Sequence, residues 1–432
     1  MIASFLLTLR ALVRGRVVVL LLGAVGLIHF LMPGVVRSDG TAAGAFEMHI
    51  RSVPGSVATM LLLTILTVAC GLFAREREDK RLALALVRPA SAFGIAAGKW
   101  LALLTVAAAT LTFSAVLTQA FPPTHPPQKG DLPPCRHHYA PSLPPPVVTA
   151  AQLLESYLRD PQTPEAVRRA SRGAVLTLLT TKEMDRYDVI RPGETNVWPF
   201  AIPALEKQLA QGAPLVLRVR FSTQFEMRTP VAGILRLGDY SAVVSNNTQA
   251  VIDIPFVSPA KAGAPVAPVE LSFVNRGSST VMLRPRRDIE VLAPADSFAA
   301  NLLRAQLEVW SLAALLAAYG LFLSAALSRP VAVFTALVTL AVVLVAPSAI
   351  AQFPDEFHAS LGDRIGLAIS RGIQSMTTSV SDPSPISDLA TSRAVEVVPL
   401  LWTLLGNVLV RPVILLAFAA FIARRKPLAD VD

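Results

Sequence analysis

Residues 57–81, VATMLLLTILTVACGLFAREREDKR, change character at one point: 57–74 carry no charge, and 75–81 carry nothing else. An α-helix rises about 1.5 Å per residue, so the uncharged run is nearly long enough to cross a hydrocarbon core of about 30 Å. The charges that follow stop it at a water interface. Five further apolar runs share this character, at 17–36, 98–118, 307–327, 331–351 and 400–422. The composition agrees, with 53% hydrophobic and only 16% charged residues, far from the balance of a soluble domain. The net charge of +9 is spread along the borders of the apolar runs rather than gathered on a polar surface. It reads as a topological signal, and no nucleic-acid partner is expected.

Arg10, Arg14 and Arg16 precede the first run, and Arg75, Arg77, Lys80, Arg81, Arg88 and Lys99 lie between the second and third. Arg329 separates the fourth and fifth, and Arg424, Arg425 and Lys426 follow the sixth. With both termini cytoplasmic, every group falls on the cytoplasmic side. A cleaved signal peptide is not expected, because the first run is long for one and a stop-transfer pattern follows in the second. Ahead of the first run, Phe5, Leu6, Leu9, Leu12 and Val13 form an apolar stripe. Residues 1–16 therefore read as an amphipathic helix lying in the membrane interface.

Residues 119–300 are not membrane-like. Their first part, 119–149, is so rich in proline that an extended linker is expected. Helical spacing follows in Leu153, Leu154, Tyr157, Leu158, Val167, Ala170, Val175 and Leu179. From about 214 the period becomes two: Leu217, Val219 and Phe221 alternate with Arg218 and Arg220, and Ile252, Ile254 and Phe256 flank Asp253. The stretch VELSFVNRGSSTVML, 269–283, reads as two strands around a turn at Asn275–Ser279. The expected fold is thus a mainly α-helical polytopic membrane protein with six transmembrane helices. An extracytoplasmic α+β domain with a β-sandwich-like sheet is inserted at 150–300. Spans one to three occupy 17–118 with a cytoplasmic loop at 75–99, and spans four and five occupy 301–351. A second external segment, 352–396, leaves open whether it is re-entrant; the last span is 397–423 and the cytoplasmic tail 424–432.

Within the loop, FGIAAGKW (93–100) approaches a phosphate-binding motif but lacks its spacing. That motif needs four residues between its glycines and a Ser or Thr after the lysine. Here three residues separate Gly94 from Gly98, and Trp100 takes the hydroxyl's place. Close helix packing at the glycines and a snorkelling Lys99 are expected instead.

The wider stretch REREDKRLALALVRPASAFGIAAGKWL, 75–101, resembles the first cytoplasmic loop of ABC-2-type transporter permeases. Arg75-Glu76, Leu82–Leu86, Pro89-Ala90-Ser91 and Gly98-Lys99 match that pattern. Asp79-Lys80-Arg81 replaces the usual Gly-Thr, and no turn arginine precedes Phe93. The external domain is no part of the pattern. The resemblance implies the membrane subunit of a bacterial inner-membrane exporter, working as a homodimer or beside a similar permease. It also implies that 75–99 docks on a separate ATPase through Arg75, Glu76, Arg77, Glu78, Leu82, Leu86, Pro89 and Lys99. ATP hydrolysis would then lie on the other chain. The rival class is a non-transporting scaffold, or a mechanotransmission protein, whose external domain binds an envelope or motility partner.

Asn407 and Arg411 stand four apart in the middle of the last span and share a helix face. They read either as a polar face lining a dimer seam or substrate path, or as a break at Pro412 that frees Arg411 to water. His29, near Pro33, reads as interfacial. Cys135, His137 and His138, with His125 nearby, fit no standard zinc spacing, so no metal is expected. Cys70 and Cys135 define no disulfide framework. No cofactor motif and no enzyme constellation is found, and membrane lipid is an expected partner throughout.

Overall fold

The computed structural model describes residues 1–35, 42–78, 91–120, 135–142, 146–168, 171–200, 214–223, 231–237, 240–246, 251–257, 269–295, 297–352 and 385–425. They fall into a helical unit, built from Met1–Cys135, Asp296–Phe353 and Leu361–Asp432, and a β-rich unit built chiefly from Arg136–Ala295. The chain opens with α1 (Ile2–Arg14), and a joint at Gly15 and Arg16 leads into α2 (Val17–Val35). Arg16 takes the left-handed φ of 59°, which turns the chain sharply. α3 (Ala42–Glu78) contains the run at 57–74 but starts well before it, and α4 (Ala92–Ala120) carries the third run. The structure thus narrows the expected 75–99 loop: Arg75–Glu78 continue one helix and Ala92–Lys99 begin the next.

The β-rich unit follows in the chain. β1 is Arg136–Tyr139; α5 (Pro146–Arg159), α6 (Glu165–Arg168) and α7 (Arg172–Asp188) come next. Ala150, Val175 and Leu179 form the buried seam between these helices, with Leu154, Tyr157, Leu158 and Val167 against it. Ser171 caps α7, its side chain accepting from the Ala174 N–H at 3.2 Å. The strands are β2 (Val189–Ile190), β3 (Thr195–Phe200), β4 (Pro214–Arg220), β5 (Ser222–Thr223), β6 (Val231–Leu237), β7 (Tyr240–Asn246), β8 (Val251–Val257), β9 (Val269–Asn275) and β10 (Val281–Met282). The short α8 (Pro285–Asp288) leads into β11 (Ile289–Pro294).

Two four-stranded antiparallel sheets result, in the orders β1-β11-β4-β8 and β3-β9-β6-β7, with a small third sheet β2-β10-β5. The inward residues of the period-two runs meet in one core: Leu217, Val219 and Val291 from the first sheet, Trp198, Leu235 and Phe273 from the second. Phe221, just past β4, joins them at 5.2 Å from the Phe273 ring. Gly233 is required where it stands, because a Cβ there would lie 2.4 Å from the Phe273 ring. Asn275 fixes the predicted turn. Its side chain donates to Ile190 O (3.0 Å) and Ser279 O (2.8 Å) and accepts from the Gly277 N–H (3.0 Å).

The expected linker 119–149 is corrected at both ends. α4 runs to Ala120, and residues 136–139 are a strand paired along β11 from Arg136↔Pro294 to Tyr139↔Val291. A proline-flanked segment can join a sheet at its edge, where half its backbone groups need no partner.

The helical unit resumes with α9 (Phe298–Ala326), earlier than the expected 307, and α10 (Arg329–Gln352), then α11 (Pro385–Ala390). α12 (Val397–Leu404), a π-helical turn Leu405–Val410 and α13 (Arg411–Arg425) form one continuous rod. Among the described residues five helical stretches are long and apolar enough to cross a membrane: Val17–Val35, Phe46–Glu78, Ala92–Ala120, Phe298–Ala326 and Val397–Arg425. The sixth expected run lies in α10, whose side chains are described as far as Val343.

α3 and α9 pair most closely, through small residues. A Cβ on Gly320 would stand 2.6 Å from the Ala69 Cβ and 3.0 Å from Leu66 O. Ala313, Ala314, Ala317 and Ala318 are all fully buried on α9. In an apolar solvent the gain from association is close packing, which small side chains allow. α4 meets α9 through two indole donors: Trp100 Nε1 to Ala314 O at 2.8 Å and Trp310 Nε1 to Leu104 O at 3.1 Å. Asn301 ties α9 to the turn after α11, donating to Arg393 O (2.7 Å) and accepting from the Val395 N–H (2.8 Å).

Candidate functional site

The chain leaves α3 at Glu78 and re-enters a helix just past Ser91, and the side chains at this base brace one another. Glu76, two residues before the end of α3, forms an ion pair with Lys99 on α4. Lys99 is 2% exposed, and its ammonium also lies 5.0 Å from the centre of the Phe73 ring. The expected snorkelling lysine is therefore corrected. A carboxylate across the helix pair satisfies the charge inside the bundle, so the side chain has no need to reach water.

Arg77 turns towards α9. Its Nη2 donates to Ser324 O at 2.7 Å and to Leu327 O, carbonyls that the end of a helix leaves without intrahelical partners. The Ser324 hydroxyl in turn accepts from the Phe73 and Ala74 N–H groups, both at 3.0 Å. α1 closes the base from another side. A Cβ on Gly98 would lie 2.6 Å from Met1 O, and Ser4 Oγ donates to Ile95 O at 3.0 Å. The amphipathic stripe thus divides: Leu12 is buried in the bundle, while Leu6 and Val13 are 55% and 50% exposed.

Of the residues expected to contact an ATPase, Glu76, Arg77 and Lys99 come together as an internal brace. Arg75 and Glu78 are exposed at its rim. Leu82, Leu86 and Pro89 lie outside the described residues.

A second polar group sits halfway along the last long helix. Arg411 Nη1 donates to Asn407 Oδ1 at 2.9 Å, and the fully buried Asn407 reaches Ser311 Oγ on α9 at 3.5 Å. The expected i,i+4 face is present, and the alternative of a break at Pro412 is not. A proline lacks an N–H and crowds the carbonyl four residues back. The chain absorbs this by a π turn, in which the Arg411 N–H bonds Gly406 O, and the helix continues. An arginine at mid-span costs about 2.5–3.5 kcal/mol on insertion scales, and one amide offsets little of it. Arg411 lines a cavity of about 390 Å³ whose other walls are mainly Leu66, Leu315, Leu316 and Leu340, with Tyr319 and Thr339 hydroxyls.

His29, expected at the interface, is 5% exposed; its Nδ1 contacts Val25 O at 2.9 Å and its Nε2 contacts Thr118 Oγ1 at 3.2 Å. Near enough for their charges to interact is His49, also buried, whose Nε2 has no hydrogen-bond partner. Reading 57 as the start of the span missed His49. The signal was there: Phe46, Ile50, Val53 and Val57 continue the helical spacing upstream, and all four are buried.

In the β-rich unit, the side chain of Asp288 is fully buried and takes the Arg284 Nε at 3.0 Å. Burial, reinforced by Asp288 and Asp185 and opposed by Arg284, pushes the nearby Asp188 carboxyl up to about 6. His137 and His138 lie on β1. Among the described residues no three His, Cys, Asp or Glu side chains are grouped to hold a metal, and both cysteines are buried and outside any disulfide. Compared with known protein families, curated proteins and solved structures, the chain matches none.

Proposed function

We propose that the chain is the permease subunit of an ATP-driven transporter of the ABC-2 type. It would sit in a bacterial cell membrane with both termini cytoplasmic, six spans, and the β-rich unit outside. The resemblance at 75–101 supports this reading, and so does the bracing of the two helix ends that flank 79–90 in the chain. A segment that passes a stroke into a bundle needs rigid attachment. The Glu76–Lys99 pair, the Arg77 cap and the α1 contact at Gly98 tie the ends of that segment to α1, α3, α4 and α9. ATP would be hydrolysed on a separate chain, with two permeases pairing through the exposed apolar faces of α2 and α13.

Affinity purification from native membranes tests the reading. The unmodified chain should bring down an ATPase, identified by mass spectrometry. The variant Leu82→Asp/Leu86→Asp should insert normally and lose it, because charge replaces the apolar anchor of the contact. A variant that still retains its ATPase, or an unmodified chain that retains none, overturns the assignment.

A further inference from the structure

We propose that β7 pairs with the β7 strand of a second copy of this chain, antiparallel and centred on Val243, so that two β3-β9-β6-β7 sheets join into one. The pairing is read from the strand itself; only the confinement of two copies to one complex rests on the permease reading.

An edge strand presents a row of backbone N–H and C=O groups that another strand can take, and proteins guard such edges with charge, proline or an overlying segment. Three of the four outer strands of the two large sheets are guarded in this way. β1 opens with Arg136. β8 carries the exposed Asp253 and also Pro255, which has no N–H to donate. β3 carries Pro199, whose carbonyl already accepts from the Ser142 N–H at 2.9 Å. The fourth, β7, reads YSAVVSN over Tyr240–Asn246, seven residues with neither charge nor proline. Among the described residues it is paired on one side with β6, from Leu237↔Tyr240 to Val231↔Asn246, and has no strand on the other. Val243 is 83% exposed, whereas its neighbour Val244 is buried in the core of the unit.

The symmetry of the strand identifies the occupant. Val243 is the middle residue of the seven, so a two-fold axis there brings the full length of each strand into register with the other. Ser241 then stands opposite Ser245 of the second copy, Ala242 opposite its Val244, and Val243 opposite its Val243. Each pair matches an outward residue with an outward one or a core-facing residue with a core-facing one, as a shared sheet requires. Cross-strand valine and serine pairs are favourable, and no like charges meet. One strand pair is a small contact. It becomes sufficient where two copies are already held together, because the second contact is then made at high effective concentration.

The test is oxidative crosslinking of the full chain in native membranes, read as a covalent dimer on a non-reducing gel and identified by mass spectrometry. Cys70 and Cys135 are buried, so the unmodified chain serves as the blank. Val243→Cys should crosslink, because directly opposed residues of an antiparallel pair lie about 4.5–5.5 Å apart at Cα, within the reach of a disulfide. Ser241→Cys and Ser245→Cys alone should each give at least fivefold less, since about 14 Å of strand separates each from its own copy. Coexpressing these two variants under different tags should give the crosslink that neither gives alone. In that pair, Val243→Lys on both chains sets two ammonium groups face to face and should cut the yield at least fivefold. Val243→Thr, and Val197→Lys on the edge strand β3, should leave the yield unchanged. Should Val243→Lys fail to fold by limited proteolysis, the pattern of the cysteine variants decides. No dimer from Val243→Cys, equal yields from the three single cysteines, or a yield untouched by a folded Val243→Lys overturns the proposal. A crosslink to a different protein also overturns it, and assigns the edge to that partner. Val243→Lys should still bring down the ATPase, so this inference and the permease reading fail separately.

Discussion

Replacing Lys99 by Met should damage the fold far more than replacing its near neighbour Arg75. Lys99→Met leaves the Glu76 carboxylate facing an apolar partner; since Glu76 is 36% exposed, water recovers part of the loss. The expected cost is about 1–3 kcal/mol, seen as a lower midpoint in thermal unfolding in detergent. Adding Glu76→Gln should restore most of it, while the exposed Arg75→Met should change stability by less than about 0.5 kcal/mol. Asp188 gives a pH dependence. Its folded carboxyl titrates at about 6, above the usual value near 3.9, so between these values the folded state holds a proton that the unfolded state releases. Stability of the Arg136–Ala295 fragment should therefore fall as pH rises from about 4 to about 6 and stay low above that. Asp188→Asn should flatten the slope and gain about 1 kcal/mol at pH 7.5, a value discounted for partial exposure; urea unfolding at pH 4.5 and 7.5 checks it. The Asn407–Arg411 pair was legible in the sequence because it is local. The Glu76–Lys99 pair was not, since its members are brought together by the packing of two helices and no spacing encodes that.

At the scale of elements, periodicity carried the strands well. Leu217, Val219 and Phe221 were read as one face and are one face. It failed for β1, whose pairing with β11 is made across the whole β-rich unit and whose proline-rich surroundings argue locally for a coil. At Pro412 the sequence left two readings open, and the π turn that accommodates the proline settles them for a continuous helix. The α3–α9 contact makes the sharpest test of an element. Gly320→Leu would drive a branched side chain into the Ala69 Cβ and the Leu66 carbonyl, both backbone or next to it and unable to yield. The helices should separate, and a cysteine pair placed across the contact should crosslink at least fivefold less. Gly406→Leu, where a Cβ meets nothing within 4 Å, is the matched control and should crosslink normally.

For the whole molecule, the distribution of arginine and lysine is the part of the sequence that speaks to orientation. Alkaline phosphatase fused after Ala260 should be active, and the same enzyme fused after Arg425 should be inactive. The reverse pattern would discard an external β-rich unit. The division into helical and β-rich units was legible because each has its own hydrophobic period, 3.6 or 2. The exact helix lengths were not. α3 and α9 extend beyond their apolar runs by packing on neighbours, and hydropathy is blind to that.

The close approach of Ala69 to Gly320 also sets a timetable for synthesis. These two residues are separated by 320 − 69 = 251 positions in the chain. At roughly 5–20 residues per second, α3 waits about 12–50 s after its own translation before its main partner leaves the ribosome. Through that interval the alanine and cysteine face of α3 has only lipid to touch, and Arg77 lacks the carbonyls it will cap. Until α9 arrives, a nascent chain in this state holds only half of its bundle. Its maturation is governed by the arrival of the distant half rather than by the speed with which either half folds.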